Sequence, residues 1–360
     1  MLRLQRIFVT HFKNYRFSPF EFNKNVVGIS GLNGTGKTNL LDAIYYCCFT
    51  KSYFSASDAL NTNFGETGFR LEAHFENNNN PQKIICIQRG NTKKEFSVND
   101  VLYDKLAEHI GMIPAVIIAP DDAEIITGGS EGRRRYLDTV ICQVDNEYLH
   151  QLIIYNKVLQ QRNSLLKRFA ERGKTDDALL EILNRQLILP GKIVFEKRSA
   201  YTQILIPLIE SFYHRIADND EEIIFTYTSP LQKESFDDLL LRMYERDRIL
   251  QRTGGGIHKD DISFSLNGQL FKNIASQGQR KSLLFALKLA QFQVLKNHKS
   301  FCPLLLLDDV FEKLDDRRMQ QLLHWVCNEN QGKVFITDTH RERLEEAFEK
   351  LGVAFQIVEL

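Results

Sequence analysis

The segment Gly31-Leu-Asn-Gly-Thr-Gly-Lys37-Thr38 spaces its glycines, lysine and threonine as a phosphate-binding loop requires. Glycines let successive backbone N–H groups turn inward on an anion. The apolar run Asn25-Val-Val-Gly-Ile-Ser30 precedes the loop, and the helical stretch Asn39-Leu-Leu-Asp-Ala-Ile-Tyr-Tyr46 follows it. A helix start adds unpaired donors and the positive end of a dipole. Gly31, Leu32, Asn33, Gly34, Thr35, Gly36, Lys37 and Thr38 are thus candidate nucleotide-binding residues. Lys37 is expected to reach the β- and γ-phosphates of ATP, and the Thr38 hydroxyl to ligate Mg2+. An ordinary glycine turn is the plain alternative, and the flanking strand and helix favour the cradle.

Two further segments carry chemistry. Leu304-Leu-Leu-Leu-Asp308-Asp309 reads as a buried strand ending in two carboxylates, at the end of a parallel strand where α/β folds build their sites. Asp308 is placed to hold the metal, and Asp309 to take a proton from an attacking water. A solvated strand end or a helix cap is the alternative. Ser276-Gln277-Gly278-Gln279 precedes a long helix and offers a hydroxyl, a flexible glycine and a bare helix N-terminus, a second anion-binding device. An N-cap with a polar turn explains it too, but two such devices suit a nucleotide held between two subunits.

Those residues need a scaffold. Phe69 to Glu76 alternates apolar and polar residues, a half-exposed strand, and Ile84 to Gln88 and Glu95 to Val98 extend a small antiparallel sheet. Asn77 to Pro81 reads as a turn. From Ser130 to Arg215 the apolar spacing is helical, with breaks expected at Arg172-Gly173 and Pro190-Gly191. Strand and helix then alternate: Ile223 to Tyr227, Phe236 to Leu250, Ile262 to Leu266, Gln279 to Lys296, Leu304 to Leu307, Asp315 to Asn328, Lys333 to Ile336 and Arg341 to Leu351. Such alternation predicts an α/β fold with a mostly parallel sheet.

Composition bounds the class. The chain has 360 residues, 43% hydrophobic and 26% charged, the proportions of a globular protein of about two domains. No run approaches the roughly 18 apolar residues of a spanning helix, and the first residues lack a signal-peptide core, so a cytoplasmic chain is expected. Forty-six Lys plus Arg balance forty-six Asp plus Glu, which removes the simplest electrostatic case for nucleic-acid binding but not a local basic stripe. The six cysteines form no C-x-x-C pair and read as reduced thiols, and the nine histidines show no metal-ligand spacing.

Together these segments resemble ABC-type ATPase heads of the SMC-like kind, and more closely the RecF-like family of bacterial recombination and repair proteins. The resemblance runs end to end: His11-Phe-Lys-Asn-Tyr15, the loop, Ala119-Pro-Asp-Asp122, Gly132-Arg-Arg-Arg-Tyr-Leu-Asp138, Gln161-Arg-Asn-Ser-Leu-Leu166, Gly256-Ile-His-Lys-Asp-Asp261, Ser276 to Gln279, LLLLDDVFEKLD and Phe335-Ile-Thr-Asp-Thr-His340. It implies an ABC-type P-loop ATPase head with an antiparallel β subdomain and an inserted α-helical lobe. Residues 1–119 and 250–360 would form the ATPase lobe and 120–249 the insertion. It further implies a weak ATPase acting in DNA repair, replication and the response to DNA damage. Two copies would close on two ATP molecules, each between the loop of one and Ser276 to Gln279 of the other. Asp315 would read the opposite site, and His340 would face the γ-phosphate as a switch histidine. DNA at gaps or junctions and RecO- and RecR-like proteins are the implied partners.

Residue-level support for DNA contact is a local basic excess. From Arg133 to Arg168, seven Lys and Arg face three acids on a helical segment. Arg133, Arg134, Arg135, Lys157 and Arg162 are therefore candidates for phosphate contact without base reading. A solvated helix face is the alternative, with Arg133 to Arg135 pairing the acids of Asp121-Asp122. Two other function classes compete. A transporter ATPase subunit would need a Leu-Ser-Gly-Gly-Gln signature, which is absent here, and a P-loop kinase would have no use for the Ser276 helix.

Overall fold

The computed structural model describes residues 1–90, 92–172, 176–217, 221–312, 316–330 and 332–360. In chain order, β1 (Leu2–Phe12) and β2 (Tyr15–Glu21) form a hairpin, and β3 (Val26–Ser30) runs through the glycine loop into α1 (Lys37–Phe49). A meander follows, of β4 (Gly68–Asn77), β5 (Asn80–Arg89), β6 (Glu95–Val98) and β7 (Val101–Leu102), then β8 (Ala115–Ile118). Helices come next: the single turn α2 (Glu124–Thr127), α3 (Ser130–Cys142), α4 (Asn146–Arg172) and the 41-residue α5 (Asp177–Ala217). After β9 (Ile223–Thr228) come α6 (Phe236–Leu250), β10 (Asp261–Leu266), β11 (Gln269–Leu270) and the short α7 (Phe271–Ile274). The remainder is α8 (Gln277–Lys299), β12 (Leu304–Leu307), α9 (Asp316–His324), β13 (Val334–Asp338), α10 (Arg341–Lys350) and β14 (Phe355–Glu359).

The chain divides into two compact units, the first of residues 1–123, 208–220 and 276–360, the second of residues 124–207 and 221–275. The expected lobe boundaries at 119/120 and 249/250 differ from this division. Residues 250–275 group with the second unit because β10 pairs with β9, and the end of α5 groups with the first.

The first unit holds two sheets. The antiparallel one has the order β2-β1-β4-β5-β6-β7, and the parallel one β14-β3-β13-β12-β8. Along β4, Phe69, Leu71, Ala73 and Phe75 are buried and the residues between them are half-buried, as the alternation predicts. Asn78 and Asn79 turn into β5 with φ of 49° and 65°, which asparagine tolerates in a two-residue hairpin. Helix α1 packs on β1, β4 and β5 of one sheet and on β8 and β13 of the other. Every residue from Leu40 to Phe49 is buried, the signature of a helix covered all round. Its one acid, Asp42, takes an ion pair from Lys13 at 2.6 Å and bonds from the Ser52 hydroxyl and the Tyr53 amide.

Two expectations are corrected in the second unit. The strands near Ile223 and Ile262 do not join the parallel sheet; they pair with each other, antiparallel, in a three-stranded sheet β11-β10-β9. The break expected at Pro190-Gly191 is absent, and α5 runs through Pro190 and Pro207. At Gly191 a Cβ would lie 2.4 Å from the Phe236 ring, so the helix passes this ring at a point that favours glycine. The expected break at Arg172-Gly173 coincides with the end of α4, and Gly173 lies outside the described residues. All six cysteines are free, and among the described residues no helix is long and apolar enough to cross a membrane and no His, Cys, Asp and Glu cluster forms a metal cage.

Candidate functional site

Because β3, β8, β12 and β13 are mutually parallel, their carboxyl ends share one edge of the sheet. The glycine loop leaves β3 at that edge, Asp308 and Asp309 follow β12, and Asp338 ends β13 beside Ser30. Within the loop, Gly31, Gly34 and Gly36 adopt φ of 156°, 87° and 117°. Thr35 closes the turn by donating its hydroxyl to the Leu32 carbonyl at 2.9 Å, while Leu32 and Asn33 are exposed. The Lys37 ammonium, nearly buried, lies inside the loop and donates to the carbonyls of Gly31 (2.7 Å) and Leu32 (3.1 Å).

The loop and the strand-end acids meet directly. The Thr38 hydroxyl lies 3.1 Å and 3.0 Å from the two Asp308 carboxylate oxygens. Burial pushes the Asp308 carboxyl up to about 6, helped by the neighbouring Asp309 charge and opposed by hydrogen bonds from Thr337 and Thr38 and by the Lys37 charge. Asp309 is half-buried and stands in the left-handed region, φ 46°. His340 is exposed at the N-cap of α10, on the same sheet edge, with its amide donating to Asp338. Asp315 lies outside the described residues.

Ser276 and Gln279 form a reciprocal capping box at the start of α8: the Ser276 hydroxyl accepts from the Gln279 amide at 3.2 Å, and the Gln279 side chain accepts from the Ser276 amide at 2.7 Å. Ser276 and Gln277 face solvent, and at Gly278 a Cβ would fall 2.3 Å from the Arg318 guanidinium.

Two residues that the loop pattern leaves unassigned brace it. Asn14 donates to the Thr35 carbonyl at 2.9 Å and accepts from Asn39 at 2.7 Å, and the Tyr15 hydroxyl donates to the Gly36 carbonyl at 3.0 Å. Their signal in the sequence is the segment His11 to Tyr15, whose turn between β1 and β2 sets both side chains on the loop. After β8, Asp122 accepts from the Ala119 amide and pairs with the buried Lys288 at 2.9 Å, while Asp121 is exposed.

The basic candidates separate by burial. Arg162 is fully buried, bonded to Asp247 (2.7 Å), Thr253 (2.8 Å) and Asn184 (2.8 Å). Arg133 is buried and forks onto both Asp261 oxygens at 2.7 and 3.0 Å. Neither guanidinium can follow a phosphate backbone, which corrects their assignment to DNA contact. Arg134 is half-buried and donates to the Asp260 carbonyl, and Arg135 is exposed and pairs with Glu131, so these arginines bond to partners other than Asp121 and Asp122. Lys157 is exposed. Asn163 accepts from the Thr253 amide, His258 bonds Tyr155, and Arg198 joins Asp138 to Asp260. The segments around Arg133, Arg162 and Asp260 thus build one buried polar lattice inside the second unit.

The model of the RecF/RecN/SMC N-terminal domain family matches residues 3–358. The DNA replication and repair protein RecF of Flavobacterium johnsoniae is 41% identical over 359 residues, covering 100% of each chain. The chain belongs to the RecF family. A RecF of the same description from Parabacteroides distasonis is 41% identical over 95% of this chain and 93% of its own. A solved structure of the recombination mediator protein RecF-ATP in the RecFOR pathway matches with a TM-score of 0.87 at 32% identity, over 94% of this chain and 92% of that one. The Smc head domain of Pyrococcus furiosus shares the fold at 14% identity and a TM-score of 0.57, over 100% of this chain and 93% of that one. This RecF-family chain therefore has the α/β ABC-type head that its motifs imply.

Proposed function

We propose that this chain is an ATP-switched DNA-binding ATPase of recombinational repair and replication-gap maintenance. The observation that carries the reading is the bond from Thr38 to Asp308, which joins the glycine cradle to the strand-end acids across 270 residues of sequence. The loop amides and Lys37 bind the β- and γ-phosphates of ATP. Thr38 and Asp308 would hold Mg2+: a hydroxyl beside a carboxylate is a hard-oxygen donor pair, and the cation would neutralise charge on the phosphates. Asp309 takes the proton of the attacking water, and His340 stands on the same edge for the γ-phosphate. Ser276 and Gln277 face solvent, where the helix tip of one copy can complete the site of another. Slow hydrolysis then resets the dimer. The RecF relatives named for replication, repair and the RecFOR pathway support DNA, RecO-like and RecR-like proteins as partners.

The test is molecular mass in solution by light scattering, with and without ATP, each with and without gapped duplex DNA. The dimer mass is expected only with ATP, and DNA only on the dimer. Ser276→Arg is expected to leave single-subunit ATP binding intact and abolish the dimer. A chain that stays monomeric when saturated with a non-hydrolysable analogue overturns the reading.

A further inference from the structure

Strand β13 carries one hydroxyl in an otherwise apolar run, Val334-Phe-Ile-Thr337, and Thr337 is fully buried. A buried hydroxyl without partners costs about 1–3 kcal/mol, so a β-branched valine would be the simpler choice for the strand. Thr337 has partners on both sides of its oxygen. It donates to Asp308 Oδ1 at 2.9 Å and accepts from the backbone amide of Asp309 at 2.9 Å. The second bond falls where strain is found: Asp309 is an L-residue at φ 46°, a conformation that costs roughly 1–2 kcal/mol. One side chain therefore fixes the orientation of the Asp308 carboxylate and the backbone that aims Asp309. Thr38 also reaches Asp308, but from the loop, and nothing in that bond orients Asp309.

We propose that Thr337 is the positioning residue for hydrolysis, a hydroxyl that locks both acids from the neighbouring strand. The proposal rests on the ATPase reading above. Its role lies in aiming the acids, so its removal separates turnover from binding.

The experiment compares the full chain with Thr337→Val, which keeps shape and removes the hydroxyl, and with Thr337→Ser, which restores it. ATP affinity, ATP-dependent dimer mass, kcat and KM are measured, with thermal melting as the check on folding. Thr337→Val is expected to lower kcat by about tenfold to a hundredfold, with affinity, KM and dimer mass within about threefold of the parent. Thr337→Ser is expected to recover most of the lost kcat. A Thr337→Val chain that turns over like the parent, one that loses ATP affinity in step with kcat, or a serine variant without recovery overturns the proposal. A parent chain with no ATPase activity overturns the underlying reading and this one with it, whereas an active parent with an unaffected valine variant overturns this one alone.

Discussion

Gly36 occupies a position that admits no side chain. Its φ is 117°, and a Cβ would fall 2.6 Å from the Asn14 amide nitrogen and 2.8 Å from the Tyr15 hydroxyl. Gly36→Ala must strain the backbone and push the hairpin turn off the loop, so nucleotide affinity is expected to fall by at least about tenfold, the equivalent of about 1.4 kcal/mol. Titration with a fluorescent ATP analogue checks this. The glycine spacing, Lys37 and the paired acids were legible because their types repeat a pattern with a known physical use. Asn14, Tyr15 and Thr337 were not, because an amide, a phenol or a hydroxyl gains meaning only from what the fold sets opposite it. Arg133 and Arg162 show the converse: a count of charges along the chain could not distinguish cations facing water from cations facing Asp261 and Asp247.

Among the elements, those with long regular patterns were readable. Strand β4 kept its alternation, α6 spans Phe236–Leu250 as its apolar spacing predicts, and β12 is the buried run before Asp308. Strands β9 and β10 were readable as strands but not as partners, since alternation does not name the neighbour. The continuity of α5 through Pro190 was hidden because proline and glycine read as a break along the chain, whereas tertiary context can override local propensity. The polar lattice around α3 and α4 carries its own prediction. Arg162→Met leaves the buried Asp247 without its guanidinium, and should lower stability by about 3–5 kcal/mol in urea unfolding. The double reversal Arg135→Glu with Lys157→Glu should instead leave stability unchanged, weaken DNA binding and flatten its salt dependence, measured by anisotropy across a salt series.

At the scale of the whole molecule the chain is neutral, and one buried group gives its stability a pH dependence of its own. Lys333 is 1% exposed, between the rings of Phe22 and Phe335, and donates to the carbonyls of Phe22 and Lys24. Burial pushes its ammonium down to about 7, with the Arg3 charge adding to the effect. The unfolded chain, with lysine near 10.4, binds more protons than the folded one between about pH 7 and 10. Lys333 therefore adds stability as pH rises through that window, by at most about 1.4 kcal/mol per pH unit. Urea unfolding at several pH values should show Lys333→Met lacking this rise. The strand order has a consequence for synthesis. β3, which launches the phosphate loop, is flanked on both sides by β13 and β14, so its neighbours in the sheet come from residues 334–359. A nascent chain on the ribosome can fold its early meander first, but the loop's own strand waits unpaired until residues 334–359 have been made. A chain that has not reached residue 334 therefore lacks both neighbours of the strand from which the phosphate loop springs.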